Sequence, residues 1–166
     1  MTGPCFVDAN VFIYADDPRD PRKRALAGEW LEMLWNEGTG RASTQVLSEY
    51  FVTVTRKLPV RIPADDAWEY IQGLEAWNPI AIDFPVLRRA HGIQQRYGIH
   101  WWDSLIVAAA QAQHCLLLLS EDLQDGAVYG GVTVRDPFRL GVEEAVATYG
   151  AAPRPRYARR PSAMRT

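Results

Sequence analysis

Four consecutive leucines, Leu116-Leu117-Leu118-Leu119, give way at once to Ser120-Glu121-Asp122. A strand with one wet face alternates apolar and polar residues, whereas a strand apolar at every position is covered on both faces, as in a parallel sheet. Cys5-Phe6-Val7 has the same character and stops on Asp8. Two such strands in one parallel sheet deliver both aspartates to the same edge, the edge where α/β folds place their ligands.

The segments between these runs carry helical periodicity. Ala25, Trp30, Leu31, Leu34 and Trp35 mark a helix over 22–37, ended by Gly38-Thr39-Gly40. Thr44 is read as an N-cap, with Leu47, Tyr50, Phe51, Val54 and Leu58 on one face of the helix that follows. Further amphipathic helices are expected over 64–76 and 84–97, with Ile80-Ala81-Ile82 as a short strand between them. An alanine-rich helix opens at Trp102-Asp103-Ser104 and runs to about Gln113, and Val132-Thr133-Val134 is a last short strand. Strands alternating with helices specify an α/β domain around a mainly parallel sheet. At 166 residues the chain has room for one such domain. The boundary is placed at residue 140, with 141–166 as an Arg/Pro-rich extension expected to be mobile.

Against this frame, acidic residues stand at expected element ends. Asp8 and Asp122 follow the two apolar runs, Asp103 lies in a helix start, and Glu49 falls nearly opposite the apolar stripe of its helix. Each has an ordinary alternative as a turn residue, a cap or a solvated charge. If they converge, two unit charges 4 Å apart repel by roughly 4 kcal/mol at an effective dielectric of about 20. Such a group stays ionised only around hard cations, and an oxygen-only donor set selects Mg2+ or Mn2+. His91, His100 and His114 lack short-range metal-ligand spacing, and Cys5 and Cys115 read as reduced core residues. No Ser-His-Asp set and no phosphate-cradling glycine loop competes for the chemistry.

The net charge of −2 is unusual for a nucleic-acid binder. The cations are nevertheless grouped, as Arg22-Lys23-Arg24, Arg56-Lys57, Arg88-Arg89 and a tail holding Arg154, Arg156, Arg159, Arg160 and Arg165. With several acids gathered at one place, the remaining surface is more basic than the sum. No stretch reaches the ~20 apolar residues of a membrane span, and the N-terminus lacks the pattern of a secretory signal, so a cytoplasmic protein is expected.

The segments FVDANVFIY, STQVLSEYF, HWWDSLIVAAA and LLLLSEDLQDG, in this order over residues 5–138, resemble the PIN-domain ribonucleases, and among them the VapC toxins of bacterial toxin–antitoxin modules. That resemblance implies a three-layer α/β/α sandwich, RNA cleavage with Mg2+ or Mn2+, a homodimer, and a cognate antitoxin as partner. It also implies that Asp8, Glu49, Asp103 and Asp122 are the metal-binding catalytic acids, with Asp125 an additional candidate and Asn10, Thr44 and Ser120 in support. The tail is then either a solvated end or an arm for RNA phosphates, and Trp101 and Trp102 are either core or a base-stacking pair. Two alternatives remain open at this point: a non-catalytic PIN-like module binding RNA or protein, and a structure-specific DNA nuclease. A phosphatase of the haloacid dehalogenase type fits poorly, because position 10 is Asn where such an enzyme wants a second Asp.

Overall fold

In the computed structural model, which describes residues 3–150, the two apolar runs are neighbouring parallel strands. They are β1 (Cys5–Val7) and β3 (Leu117–Leu119), paired as Cys5 with Leu117, Phe6 with Leu118 and Val7 with Leu119. All six residues are buried. The flanking strands are shorter or more exposed. They are β2 (Gly40–Arg41) beside β1, and a hairpin of β4 (Val128–Tyr129) and β5 (Val132–Arg135) beside β3. The order β2-β1-β3-β5-β4 is parallel except for the β4/β5 hairpin.

The helices are α1 (Ala9–Asp16), α2 (Pro21–Glu37), α3 (Thr44–Val52), α4 (Ala64–Gly73), α5 (Phe84–Tyr97), α6 (Trp101–Ala112) and α7 (Val142–Tyr149). They cover the sheet on both faces, making the three-layer α/β/α sandwich. α3 runs directly into a π-helical turn (Thr53–Lys57), and α4 into a 3-10 turn (Leu74–Trp77) that ends at Asn78 with φ 49°. Among the described residues no helix is long and apolar enough to cross a membrane.

Several local expectations are corrected. The N-cap of α3 is Ser43, whose Oγ accepts from the Val46 N–H, and not Thr44, whose hydroxyl accepts from the Ile82 N–H. Residues 80–82 form no strand but a single parallel bridge between Ser43 and Ile80, because the chain turns immediately into Asp83, the N-cap of α5. Past residue 140 the chain forms α7, which buries Ala145 in contact with α2. The Arg/Pro segment after 150 lies outside the described residues.

Two buried contacts lock the layers together. The Trp30 indole N–H on α2 is shared between the Pro137 and Leu140 carbonyls at 3.1 and 3.2 Å, so a fully buried donor is satisfied and the 137–140 turn is fixed to the helix. On the opposite edge, Trp77 packs at tilted angles against Phe12 and Trp35, at centroid distances of 5.8 and 6.3 Å, and its ring closes on Gly40. A Cβ at Gly40 would lie 2.4–2.5 Å from three carbons of the Trp77 ring, and no flexible side-chain end is available to yield. Gly40→Ala is therefore expected to destabilise the domain by about 1–3 kcal/mol through overpacking, seen as a lower urea midpoint at unchanged slope. In a Trp77→Leu background the same change costs less, and equal costs in both backgrounds would show that the indole is not the obstacle.

Candidate acidic site

Asp8 is the residue at which β1 becomes α1. Its backbone is extended (φ −76°, ψ 159°) and its Oδ1 accepts from the Ala9 N–H at 2.7 Å, so it caps the helix. Its Oδ2 accepts from the Ser120 hydroxyl at 2.7 Å. Ser120 is brought there by the ladder, which continues past β3 as Asp8 N–H to Leu119 C=O and Ser120 N–H to Arg135 C=O. The same Ser120 Oγ accepts from the Asp122 N–H at 3.2 Å and so shapes the turn that carries the second acid. Capping and membership of an acidic site are thus not alternatives for Asp8; its two oxygens serve one each.

Asn10 closes the link between the acids. Its side-chain amide donates to Asp122 Oδ2 at 3.2 Å and to Asp8 Oδ2 at 3.4 Å, while its own Oδ1 is buried without a hydrogen-bond partner among the described residues. An open cleft of about 500 Å³ lies over this group, lined by Asp8, Asn10, Asp122, Glu49, Thr53 and Lys57. Glu49 reaches it from the exposed face of α3, where Gln45 Nε2 donates to its carboxylate at 3.1 Å.

The electrostatics are those of crowded carboxylates. Asp8 is only 7% exposed, and burial pushes its pKa up to about 7 against the opposing hydrogen bonds from Ser120 and Ala9, with the charges of Asp122 and Glu49 adding to the rise. Asp103, in the first turn of α6, is also raised, chiefly by burial, with His100 opposing and Asp122 adding. Asp103 does not line the cleft itself; Asp122 is its link to the group.

The remaining sequence candidates lie elsewhere. Asp125 accepts from Arg135 Nε and the Asp136 N–H, both at 2.9 Å; burial would raise its pKa, but these donors together hold it below the ordinary carboxylate range. Its partners make it a brace for the β5 end. Thr44 makes no hydrogen bond to the acids and instead ties α3 to residue 82. Glu121 is drawn away from Asp122 by the ammonium of Lys23, which also lies 4.5 Å from the Tyr14 ring centroid. Of the tryptophan pair, Trp101 packs partly against the core and Trp102 stands 65% exposed beside Asp103. Thr53 and Lys57 are cleft residues that the sequence reading passed over. Their signal was present in the spacing Glu49, Thr53, Lys57, hidden because Arg56-Lys57 reads as an ordinary surface pair.

Among the described residues no group of three Asp, Glu, His or Cys side chains is drawn close enough to hold a metal ion between them. The donor set nevertheless fits a hard, hydrated cation. Mg2+ keeps several waters and takes one or two carboxylates, and here two carboxylates share one amide beside an unpartnered amide oxygen.

The sequence matches the family model for the PIN domain over residues 5–124. A chain in the solved structure of a toxin-antitoxin complex from Klebsiella pneumoniae has the same fold, with a TM-score of 0.60 at 21% identity, covering 80% of this chain and 97% of that one. No curated protein sequence matches. The match spans β1 through the acidic turn after β3, so the elements that carry Asp8, Glu49, Asp103 and Asp122 lie within the family model, and the chain belongs to the PIN domain family, whose members are generally nucleases.

Proposed function

We propose that this protein is a Mg2+- or Mn2+-dependent endoribonuclease that acts as the toxin of a VapBC-type toxin–antitoxin pair, working in the cytoplasm as a homodimer restrained by a cognate antitoxin. The observation that carries the reading is the grouping of Asp8, Asp122 and Glu49 in one cleft beyond the carboxyl ends of adjacent parallel strands, with Asp8 pushed toward neutrality chiefly by its burial and further by the charges of the other two. Carboxylates are rarely massed at such cost unless a cation or a proton resolves the repulsion. The likeness to a chain of a toxin-antitoxin complex supports the antitoxin partner.

Asp8, Asp122, Glu49 and Asp103 would hold the metal, directly or through its waters. When bound, a divalent cation lowers the pKa of a coordinated water and offsets the charge that develops on the phosphoryl oxygens. The chain's own residues do the rest. Ser120 and the Ala9 N–H orient Asp8, and Asn10 fixes Asp122 relative to it. Glu49, exposed and acceptor-rich, is placed to orient an attacking water or take its proton.

Cleavage of a labelled structured RNA pool by the purified protein is expected with Mg2+ or Mn2+ and not with EDTA. Asp8→Asn and Asp103→Asn should each lower the rate by at least about 100-fold. Cutting of single-stranded or flap DNA in place of RNA would move the protein to the DNA-nuclease reading, and absence of Mg2+ or Mn2+ binding at millimolar concentration would remove the enzyme reading altogether.

Stability should report the same cluster independently of turnover. Asp8 has a folded pKa of about 7 against an ordinary value of 3.8, so its contribution to stability is fully present below about pH 4 and is lost as pH rises toward 7. In the metal-free protein at pH 8 the charged form costs on the order of 2–4 kcal/mol. Asp8→Asn, which keeps an acceptor oxygen without the charge, is then expected to raise the metal-free Tm at pH 8 by about 3–8 °C and to leave it nearly unchanged at pH 4. Added Mg2+ should raise the wild-type Tm at pH 8 and not that of the variant. A lower Tm for Asp8→Asn at both pH values would show that Asp8 is a structural cap and no more.

A further inference from the structure

We propose that Lys57 grips a phosphate of the substrate strand next to the acids, and that the π turn following α3 is the device that brings it there; the assignment rests on the ribonuclease reading above. Lys57 is the one cationic residue among the described residues lining the acidic cleft. It is exposed, and no hydrogen bond or ion pair engages its ammonium among the described residues.

The backbone explains its placement. Glu49, Thr53 and Lys57 are spaced by four residues, and in a regular α-helix the eight residues from Glu49 to Lys57 would carry the side chain about 80° around the axis, out of the cleft. The turn Thr53–Lys57 is π-helical, closed by the Leu58 N–H to Thr53 C=O bond at 3.1 Å. An i→i+5 turn holds more residues than an α turn, so it winds back part of that drift and keeps Thr53 and Lys57 on the Glu49 side. Such turns inside helices tend to sit at functional sites. Arg56, of the same charge and one residue earlier, does not line the cleft.

The position also decides the partner. Lys57 follows Glu49 by eight residues, and no ion pair joins the two among the described residues. A cation that leaves the acids unpaired within their own cleft is available to an anion lying along it. A strand whose reacting phosphate meets the carboxylates presents its neighbouring phosphates along the same cleft, and lysine binds them as a point charge, without reading the bases. Lys57 thereby offsets the repulsion that the acids exert on a polyanion and sets the register of the strand on the site.

The test measures binding and turnover separately. In an Asp8→Asn background with Mg2+ present, affinity for a labelled single-stranded RNA is followed across a salt series for Lys57, Lys57→Gln, Lys57→Arg and Arg56→Gln. Lys57→Gln should weaken binding by about 3- to 10-fold and reduce the slope of log K against log salt by roughly 0.7, the value for one phosphate contact on a single strand. Lys57→Arg should restore both, and Arg56→Gln should change neither. In the active enzyme Lys57→Gln should raise KM and leave kcat within about 2-fold, since the contact precedes chemistry. If RNA is bound and cut but Lys57→Gln is silent, or Arg56→Gln is equally damaging, the assignment is wrong and the nuclease reading stands. If the wild type neither binds nor cuts RNA, both fall together.

Discussion

The pairing of β1 with β3 is the constraint from which the site follows. Three residue pairs in parallel register, all buried, place Asp8 and Ser120 one residue beyond the last pair on each strand, and the Asp8 N–H to Leu119 C=O bond at 3.0 Å extends the ladder into the site itself. Because strand side chains alternate, a slip of one residue would turn Asp8 into the core and Val7 into the cleft. Register is therefore set by burial of Phe6 and Leu118, residues that do not line the cleft, and the apolar core fixes where the polar groups stand. The strand order reinforces this, since the connection leaving β2 crosses β1 to reach β3, and the crevice at such a reversal is where open α/β sheets bind ligands.

The cost of that placement falls on Asp8. Its charged form is disfavoured first by burial and then by the charges of Asp122 and Glu49, and favoured by hydrogen bonds from Ser120 and Ala9, and the balance leaves it poised near neutrality. The surrounding fold offsets this with contacts far from the cleft, such as the satisfied Trp30 indole and the aromatic packing of Phe12, Trp77 and Trp35. Nearby acids outside the group are neutralised by their own partners: Asp125 by Arg135 and Glu121 by Lys23.

How much of this was legible depends on what each residue's neighbours do. Continuous apolar runs announced β1 and β3, because burial on both faces leaves no room for polar residues, and the long amphipathic helices were readable for the related reason that one stripe must face the core. Two-residue strands such as β2 and β4 carry no pattern of their own and exist because a neighbour offers hydrogen bonds. Ser43 and Thr44 are both competent caps by chemistry; tertiary contact with residues 80–82 decides between them. Helix α7 was hidden by the Arg/Pro composition downstream, while its burial against α2 depends on a surface that the sequence does not display.

Glu49 and the turn that follows α3 illustrate the limit of periodic reading. A 3.6-residue template puts Glu49 on the solvent side, which is where the structure has it, yet that side is also the wall of a cleft. Solvent exposure and membership of a site are indistinguishable in one helix taken alone; the second wall, formed by Asp8, Asn10 and Asp122, is what makes the difference. The same template, continued past Val52, assigns Lys57 to a different face, and the π turn corrects that by changing the winding rather than the residues. A helix can thus keep its apolar stripe, Leu47, Tyr50, Val54 and Leu58, in the core while Glu49, Thr53 and Lys57 line the cleft, provided that one turn departs from α geometry where the two demands conflict.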